Sequence, residues 1–158
     1  MKPNFILPRV FKKIGWMLFI PGILFGIMYL ILKDELHFLD LPVFAIANDE
    51  ILNKTVFFSI IKNNVFDEII GLLLIAGGLF IAFSKEKTED EFIAKIRLES
   101  LVWATYVNYS VLILSVIFVY GMTFFWILVF NMFTLLLFFI IRFNWALQKS
   151  KNLISDEK

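Results

Sequence analysis

The chain has no cysteine among its 158 residues, and it has only one histidine. The absence of cysteine excludes a disulfide framework and any zinc or redox chemistry that needs thiolate ligands. Charged residues are also scarce, at 18% of the sequence, whereas soluble domains have about 25%. In their place, 60% of the residues are hydrophobic and 20 are phenylalanine. This composition is typical of a membrane protein.

Long apolar stretches occur four times along the chain. Their uncharged parts are 16 to 21 residues long, and at about 1.5 Å per residue they approach the ~30 Å thickness of the hydrocarbon layer. We therefore predict an all-α membrane protein, an antiparallel bundle of four transmembrane helices in which residues 1–158 form one transmembrane domain. The predicted spans lie at about 14–32, 66–84, 99–120 and 122–142.

Lysine and arginine are distributed unevenly among the segments outside these spans. Four precede the first span, four lie in the link 85–98, and four lie between Arg142 and the end of the predicted tail, 143–158. The loop 33–65 has three. The positive-inside rule therefore predicts that both termini and the link are cytoplasmic, and that the loop is outside.

The outer loop 33–65 is too long to be a simple turn. It contains two β-prone segments, LPVFAIA and KTVFFSII, separated by NDEILN. This pattern predicts a small β-hairpin on the outer membrane surface, with one short helix as the alternative. The single histidine, His37, lies between Asp34 and Asp40. Acids near a loop histidine are common, so we expect neither a metal site nor a cofactor.

Small residues recur four positions apart in the first two predicted spans. The first span has Gly22 and Gly26, and the second has Gly78 and Ala82. In lipid, small residues allow helix backbones to approach closely. We predict that these residues pack the first helix against the second, and the alternative is that they form a homodimer.

Three polar residues lie deep in the third and fourth spans. Counted from Gly121 in the short turn, Asn108 and Thr134 are about 20 Å away and Asn131 about 15 Å away. We predict that Asn108 donates or accepts a hydrogen bond with Asn131 or Thr134 and so holds the two helices together. A polar lining of a pore or cavity is the alternative. Helical spacing also places Arg97 on the Asn108 face.

The most charged segment of the chain is SKEKTEDEFIAKIRLES, residues 84–100. Within it, Thr88 and Glu91 have the spacing of a capping box, which predicts that a helix starts at Thr88 and continues into the third span. At the cytoplasmic edge, Glu99 and Arg142 both lie about 32 Å from the short turn. We predict that these two side chains form an ion pair.

Motifs of catalysis are absent from the sequence, which has no Gly-rich phosphate loop, no G-x-S-x-G and no H-E-x-x-H. We therefore predict no catalytic residues. The favoured interpretation is an accessory or regulatory membrane protein that acts through protein–protein contacts. The alternatives are an oligomeric channel or transporter for small molecules or lipids and, third, a membrane enzyme. Expected partners are the lipid bilayer, a membrane or cytoplasmic protein or further copies of the chain, but no nucleic acid.

The segments FSKEKTEDEFIAKIRLESLVWATYVNY and FNMFTLLLFFIIRFNW resemble a family of small, uncharacterised four-span integral membrane proteins of Bacteroidetes-type bacteria. The resemblance covers most of the chain from the second span onward. It implies a location in the bacterial inner membrane, and it supplies no catalytic residues.

Overall fold

Four helices and two strands make up the described parts of the chain in the computed structural model. These parts are residues 6–32, 39–48, 56–87 and 89–156, with the backbone alone described for 151–156. The elements, in order, are α1 Val10–Ile31, β1 Asp40–Asn48, β2 Val56–Asn64, α2 Phe66–Ala82, α3 Glu91–Phe118 and α4 Met122–Asp156. The predicted set of four helices, with a small sheet between the first and second, is confirmed.

Three of these helices are long and apolar enough to cross a membrane, namely Val10–Ile31, Glu91–Phe118 and Met122–Ser150. Only 17%, 17% and 11% of their most apolar windows is buried inside the protein. Apolar surface exposed on this scale suggests a membrane protein, because soluble monomers rarely expose large contiguous apolar patches. Helix α2 is apolar as well, but with 17 residues it is shorter than the other three.

The helices pack in the order α1, α2, α4, α3. Extensive packing joins α1 with α2, α2 with α4, and α4 with α3. Helix α1 buries only one narrow stripe, formed by Gly15, Phe19 and Gly22, so one neighbour is enough to cover it. The arrangement is therefore more open than the predicted bundle, with α1 and α3 as its outer helices.

The main core lies at the end of the helices away from the sheet. It contains Ile81 of α2, Ile96 of α3, and Phe139 and Phe143 of α4. The rings of Phe139 and Phe143 are stacked at 5.7 Å between centroids. Phe143 therefore belongs to the core, although the sequence predicted a tail from residue 143 onward. Helix α4 continues to Asp156.

The N-terminal segment is attached to the connection between α2 and α3. Leu7 donates a backbone hydrogen bond to Phe83 at 2.9 Å and accepts one from Lys85 at 2.9 Å. The N-terminal segment and the α2–α3 link therefore lie together at one end of the molecule. The sheet lies at the other end, between α1 and α2.

Strands β1 and β2 form an antiparallel pair, in register from Asp40 opposite Asn64 to Asn48 opposite Val56. Phe58 interrupts the ladder because its φ is 55°, in the left-handed region that bulky residues rarely adopt. One face of the sheet is apolar and open, with 65% of Phe44 and 76% of Ile60 exposed. The predicted hairpin strands are thus present, whereas His37 and the 49–55 connection lie outside the described residues.

Helix α3 begins later than the sequence predicted. Asp90 is its N-cap, and the Asp90 carboxylate accepts a hydrogen bond from the Ile93 backbone N–H at 2.8 Å. Glu91 is therefore the first residue of the helix and not the third, so the predicted helix start at Thr88 is wrong and the helix is capped two residues later, at Asp90. The contact between Thr88 and Glu91 stays a prediction. Aspartate caps a helix as well as threonine does, and Thr88 itself lies outside the described residues.

Candidate functional site

An apolar groove lies between α1 and α4, on the half of the molecule nearest the sheet. It encloses a cavity of about 560 Å³. Helix α2 forms the floor, and α1 and α4 form the walls. The principal lining residues are Ile23, Ile27 and Leu30 of α1, Gly71 and Leu74 of α2, and Trp126, Phe130 and Phe133 of α4. We call this feature the α1–α4 groove.

The groove is closed at one end by three helices that meet at Gly78. A Cβ atom at Gly78 would lie 3.1 Å from Leu136 of α4 and 3.4 Å from Phe19 of α1. Nearer the sheet, a Cβ atom at Gly71 would have no heavy atom within 4 Å. The floor is therefore bare at Gly71, and the helix backbone is accessible from the groove.

Acidic residues lie at the end of the groove nearest the sheet. Asp67 and Glu68 in the first turn of α2 both line the cavity, as does Tyr29 of α1. Asn63 at the end of β2 donates a hydrogen bond to the Glu68 carboxylate at 2.5 Å. The groove thus combines an apolar length with a carboxylate-rich mouth, which suits an apolar segment that ends in a cation.

No family model, no curated protein and no solved structure matches this chain. The resemblance to small four-span membrane proteins therefore stays a prediction. Among the described residues, no group of three or more histidine, cysteine or acidic side chains is arranged to hold a metal ion.

Asn108 and Asn131, which lie at similar distances from the short turn, meet between α3 and α4. Asn108 donates to Asn131 at 3.4 Å, and Asn131 donates to Asn108 at 3.2 Å. Thr134 instead donates to the Phe130 carbonyl of its own helix at 2.8 Å. Of the two partners that the sequence offered for Asn108, the structure contains the bond to Asn131. Asn108 is only 5% exposed, and this placement makes the pair an attachment between the helices.

Arg97 lies on the same buried face of α3 as Asn108, as helical spacing predicted. Its guanidinium donates to both Glu89 carboxylate oxygens, at 2.6 and 3.2 Å, and to the Ser84 carbonyl at 3.2 Å. The guanidinium also lies 5.2 Å from the centre of the Phe143 ring. Helical spacing predicted the face of α3 on which Arg97 lies, but it did not predict these partners, which belong to the link and to α4.

A second ion pair lies beside the pair of Arg97 and Glu89. Lys12 of α1 pairs with Glu86, and the Glu86 backbone N–H donates to the Glu89 carboxylate at 2.9 Å. Together with Arg97, these residues join α1, the link and α3 at the end of the molecule away from the sheet.

Helices α1 and α2 approach each other closely at Gly15 and Gly77, the two glycines of this contact where an added Cβ atom would be most crowded. A Cβ atom at Gly15 would lie 2.9 Å from the Gly77 carbonyl oxygen and from Ile81. A Cβ atom at Gly77 would lie 2.8 Å from the Phe19 backbone nitrogen. The predicted backbone-to-backbone packing of these helices is therefore present, and it is tightest at Gly15 and Gly77.

The four predicted packing residues have different surroundings. A Cβ atom at Gly22 would be 3.1 Å from Leu74, whereas one at Gly26 would be 3.6 Å from Ile70, an ordinary contact. Gly78 faces α4 as well as α1, and Ala82 is in the core. Gly22, Gly26 and Gly78 thus do face the other helix, as predicted, although their contacts are looser than those of Gly15 and Gly77. The seven-residue spacing of Gly15 and Gly22, which share one helix face, was the useful signal.

The predicted ion pair between Glu99 and Arg142 is absent from the described part of the chain. Glu99 pairs with Lys95 at 3.9 Å on its own helix. The Arg142 guanidinium lies 5.6 Å from the Trp103 ring centre and 5.0 Å from that of Trp145. The prediction is wrong because α3 buries a different face against α4 and leaves Glu99 at the surface.

Proposed function

We propose that this protein is a bacterial inner-membrane protein with four spans and cytoplasmic termini, and that it acts as an accessory subunit. The basic segments support this topology, because the N-terminal segment and the α2–α3 link lie at one end and the sheet at the other. Helix α2 serves as the fourth span. Its 17 residues extend about 26 Å, and it packs between two longer apolar helices.

The α1–α4 groove supports a function in protein binding. Helix–helix contacts in lipid depend on close packing, and small residues permit it. The bare backbone at Gly71 and the small Gly26 beside it give a partner helix room to approach α2 between the two walls. The accessory role therefore consists of holding one transmembrane helix of another membrane protein in this groove.

The carboxylates at the mouth of the α1–α4 groove indicate which kind of partner helix fits it. Asp67 and Glu68 at the mouth favour a lysine or arginine at the outer end of the partner helix. A symmetric dimer of this chain would place two such mouths together, and like charges that face each other across an interface are unfavourable. The partner is therefore a different membrane protein.

Photocrosslinking in cells tests the proposal. A photoreactive residue at Ile27, a wall of the groove, is compared with one at Met17, which is 77% exposed on the same helix but outside the groove. We expect Ile27 to give an adduct with a transmembrane peptide of one other protein and Met17 to give none. Gly71→Leu should abolish the adduct, because its side chain fills the floor of the groove, where an added Cβ atom would have no heavy atom within 4 Å.

The adduct identifies the occupant by mass. Adducts only with lipid would overturn the proposal and favour the lipid-handling alternative, and adducts only between copies of the chain would favour the oligomer. An adduct that persists in a Gly71→Leu protein of unchanged stability would show that the partner does not enter the groove.

A further inference from the structure

Two tryptophans and two cations form a cluster at the end of α3 and α4 away from the sheet. The Arg142 guanidinium lies 5.6 Å from the centre of the Trp103 ring and 5.0 Å from that of Trp145. The Lys149 ammonium lies 5.6 Å from the Trp145 ring centre. We call these four residues the Trp–Arg cluster. Both rings are also partly open, because 44% of Trp103 and 54% of Trp145 is exposed.

Three other cations at this end of the molecule are paired with carboxylates, unlike those of the cluster. Lys12, Lys95 and Arg97 each pair with a glutamate. Among the side chains that the structure describes, no carboxylate pairs with Arg142 or Lys149. Since Glu99 pairs with Lys95, the hydrogen-bond donors of Arg142 remain available for an external acceptor.

We propose that the Trp–Arg cluster binds the phosphate group of an anionic membrane phospholipid. Arginine binds phosphate through two parallel hydrogen bonds, and the two adjacent tryptophan rings help to hold the guanidinium in place before the ligand arrives. Lys149 lies seven residues after Arg142, two turns further along the same face of α4, and adds a second positive charge. Tryptophan favours the head-group region of a bilayer, which sets the cluster at the depth of the lipid phosphates.

The phosphate comes from a lipid and not from a soluble ligand. Apolar side chains at this end of α3 and α4, such as Leu98 and Ile141, are more than 60% exposed. Such a surface suits the acyl chains of a bound lipid. The inference rests on the proposed insertion in a membrane, but it is independent of the partner helix in the α1–α4 groove.

Fluorescence quenching by brominated lipids tests the inference. The full chain carries Trp16→Phe and Trp126→Phe, so that only Trp103 and Trp145 emit. It is reconstituted in phosphatidylcholine vesicles with a minor fraction of phosphatidylglycerol, and one lipid or the other is brominated near its head group. We expect phosphatidylglycerol to be enriched at the cluster by roughly fivefold for each cation. Arg142→Gln with Lys149→Gln should remove this enrichment.

Lys85→Gln with Lys87→Gln is the matched control, because it removes two exposed positive charges from the same end of the molecule. Enrichment that survives in this control but is lost in the cluster variant supports the inference. Equal quenching by the two lipids would overturn it, and so would an equal loss in both double variants, which would indicate general charge attraction. Displacement of the brominated phosphatidylglycerol by soluble glycerol phosphate would exclude a lipid-specific site. Each outcome can arise whether or not Ile27 crosslinks to a partner.

Discussion

The Arg97 guanidinium and the Glu89 carboxylate form two hydrogen bonds, at 2.6 and 3.2 Å, across the start of α3. Only 9% of the Arg97 side chain and 18% of the Glu89 side chain is exposed. The same guanidinium binds the Ser84 carbonyl and lies against the Phe143 ring. Arg97 therefore joins the link, α3 and α4 at one point, and removal of either charge leaves the other buried.

We expect Arg97→Gln to destabilise the protein by about 3 kcal/mol, because breaking a buried ion pair leaves an uncompensated charge. Glu89→Gln should have a similar effect, and the double variant should lose less than the sum of the two. The free energy of unfolding in detergent, measured by circular dichroism during titration with a denaturing detergent, checks this.

The exposed pair of Lys95 and Glu99 is the control for Arg97 and Glu89. Its side chains are 73% and 63% exposed, and exposed pairs contribute about 0–1 kcal/mol. Lys95→Gln should therefore change the free energy of unfolding very little. If Arg97→Gln were as mild as Lys95→Gln, the Arg97–Glu89 pair would not hold the three segments together.

The Asn108–Asn131 pair should contribute a measurable coupling energy. In a double-mutant cycle with Asn108→Leu and Asn131→Leu, we expect coupling of about 0.6–2 kcal/mol, the range of hydrogen bonds between transmembrane helices. Thr134→Val is the control, since Thr134 bonds only to its own helix, and it should show no coupling to Asn108. Zero coupling between the asparagines would mean that each amide finds another partner when the first is removed.

Glycine substitutions should separate the tight α1–α2 contact at Gly77 from the looser one at Gly26. Gly77→Ala places a Cβ atom 2.8 Å from the Phe19 backbone nitrogen, and we expect a loss of about 1–3 kcal/mol from overpacking. Gly26→Ala and Gly71→Ala have room and should be neutral, or stabilising by up to about 1 kcal/mol, because alanine favours helix. Thermal unfolding in detergent measures the stability of all three variants. A Gly26→Ala protein less stable than Gly77→Ala would contradict the packing described.

The sequence predicted those features that depend on a single helix or strand, or on the number of residues between two positions in the chain. The four helices, the strands of the hairpin and the depth of Asn108 and Asn131 follow from local patterns and from counting residues from a short turn. Helix rotation is harder to predict, because each residue turns the face by about 100°. A small error in the rotation of α1 places Gly26 instead of Gly15 at the tightest contact with α2. A similar error in α3 brings Glu99 to Arg142 in the prediction, although the two side chains are not paired in the structure.

The groove was not predictable for a related reason. Gly71, Leu30 and Trp126 line one groove only when three helices have taken their relative positions, and no motif in the sequence records that arrangement. Composition marks each helix as apolar all round, so it gives no indication of which face remains uncovered.

The absence of cysteine makes the proposed topology directly testable. Lys62→Cys in β2 and Lys87→Cys in the α2–α3 link each introduce a single, exposed thiol. In spheroplasts we expect a membrane-impermeant maleimide to label Lys62→Cys at once, and to label Lys87→Cys only after the membrane is permeabilised. The reason is the excess of lysine and arginine in the link and the termini, which the positive-inside rule retains in the cytoplasm. Labelling in the reverse order would invert the topology, and immediate labelling at both sites would show that α2 does not cross the membrane.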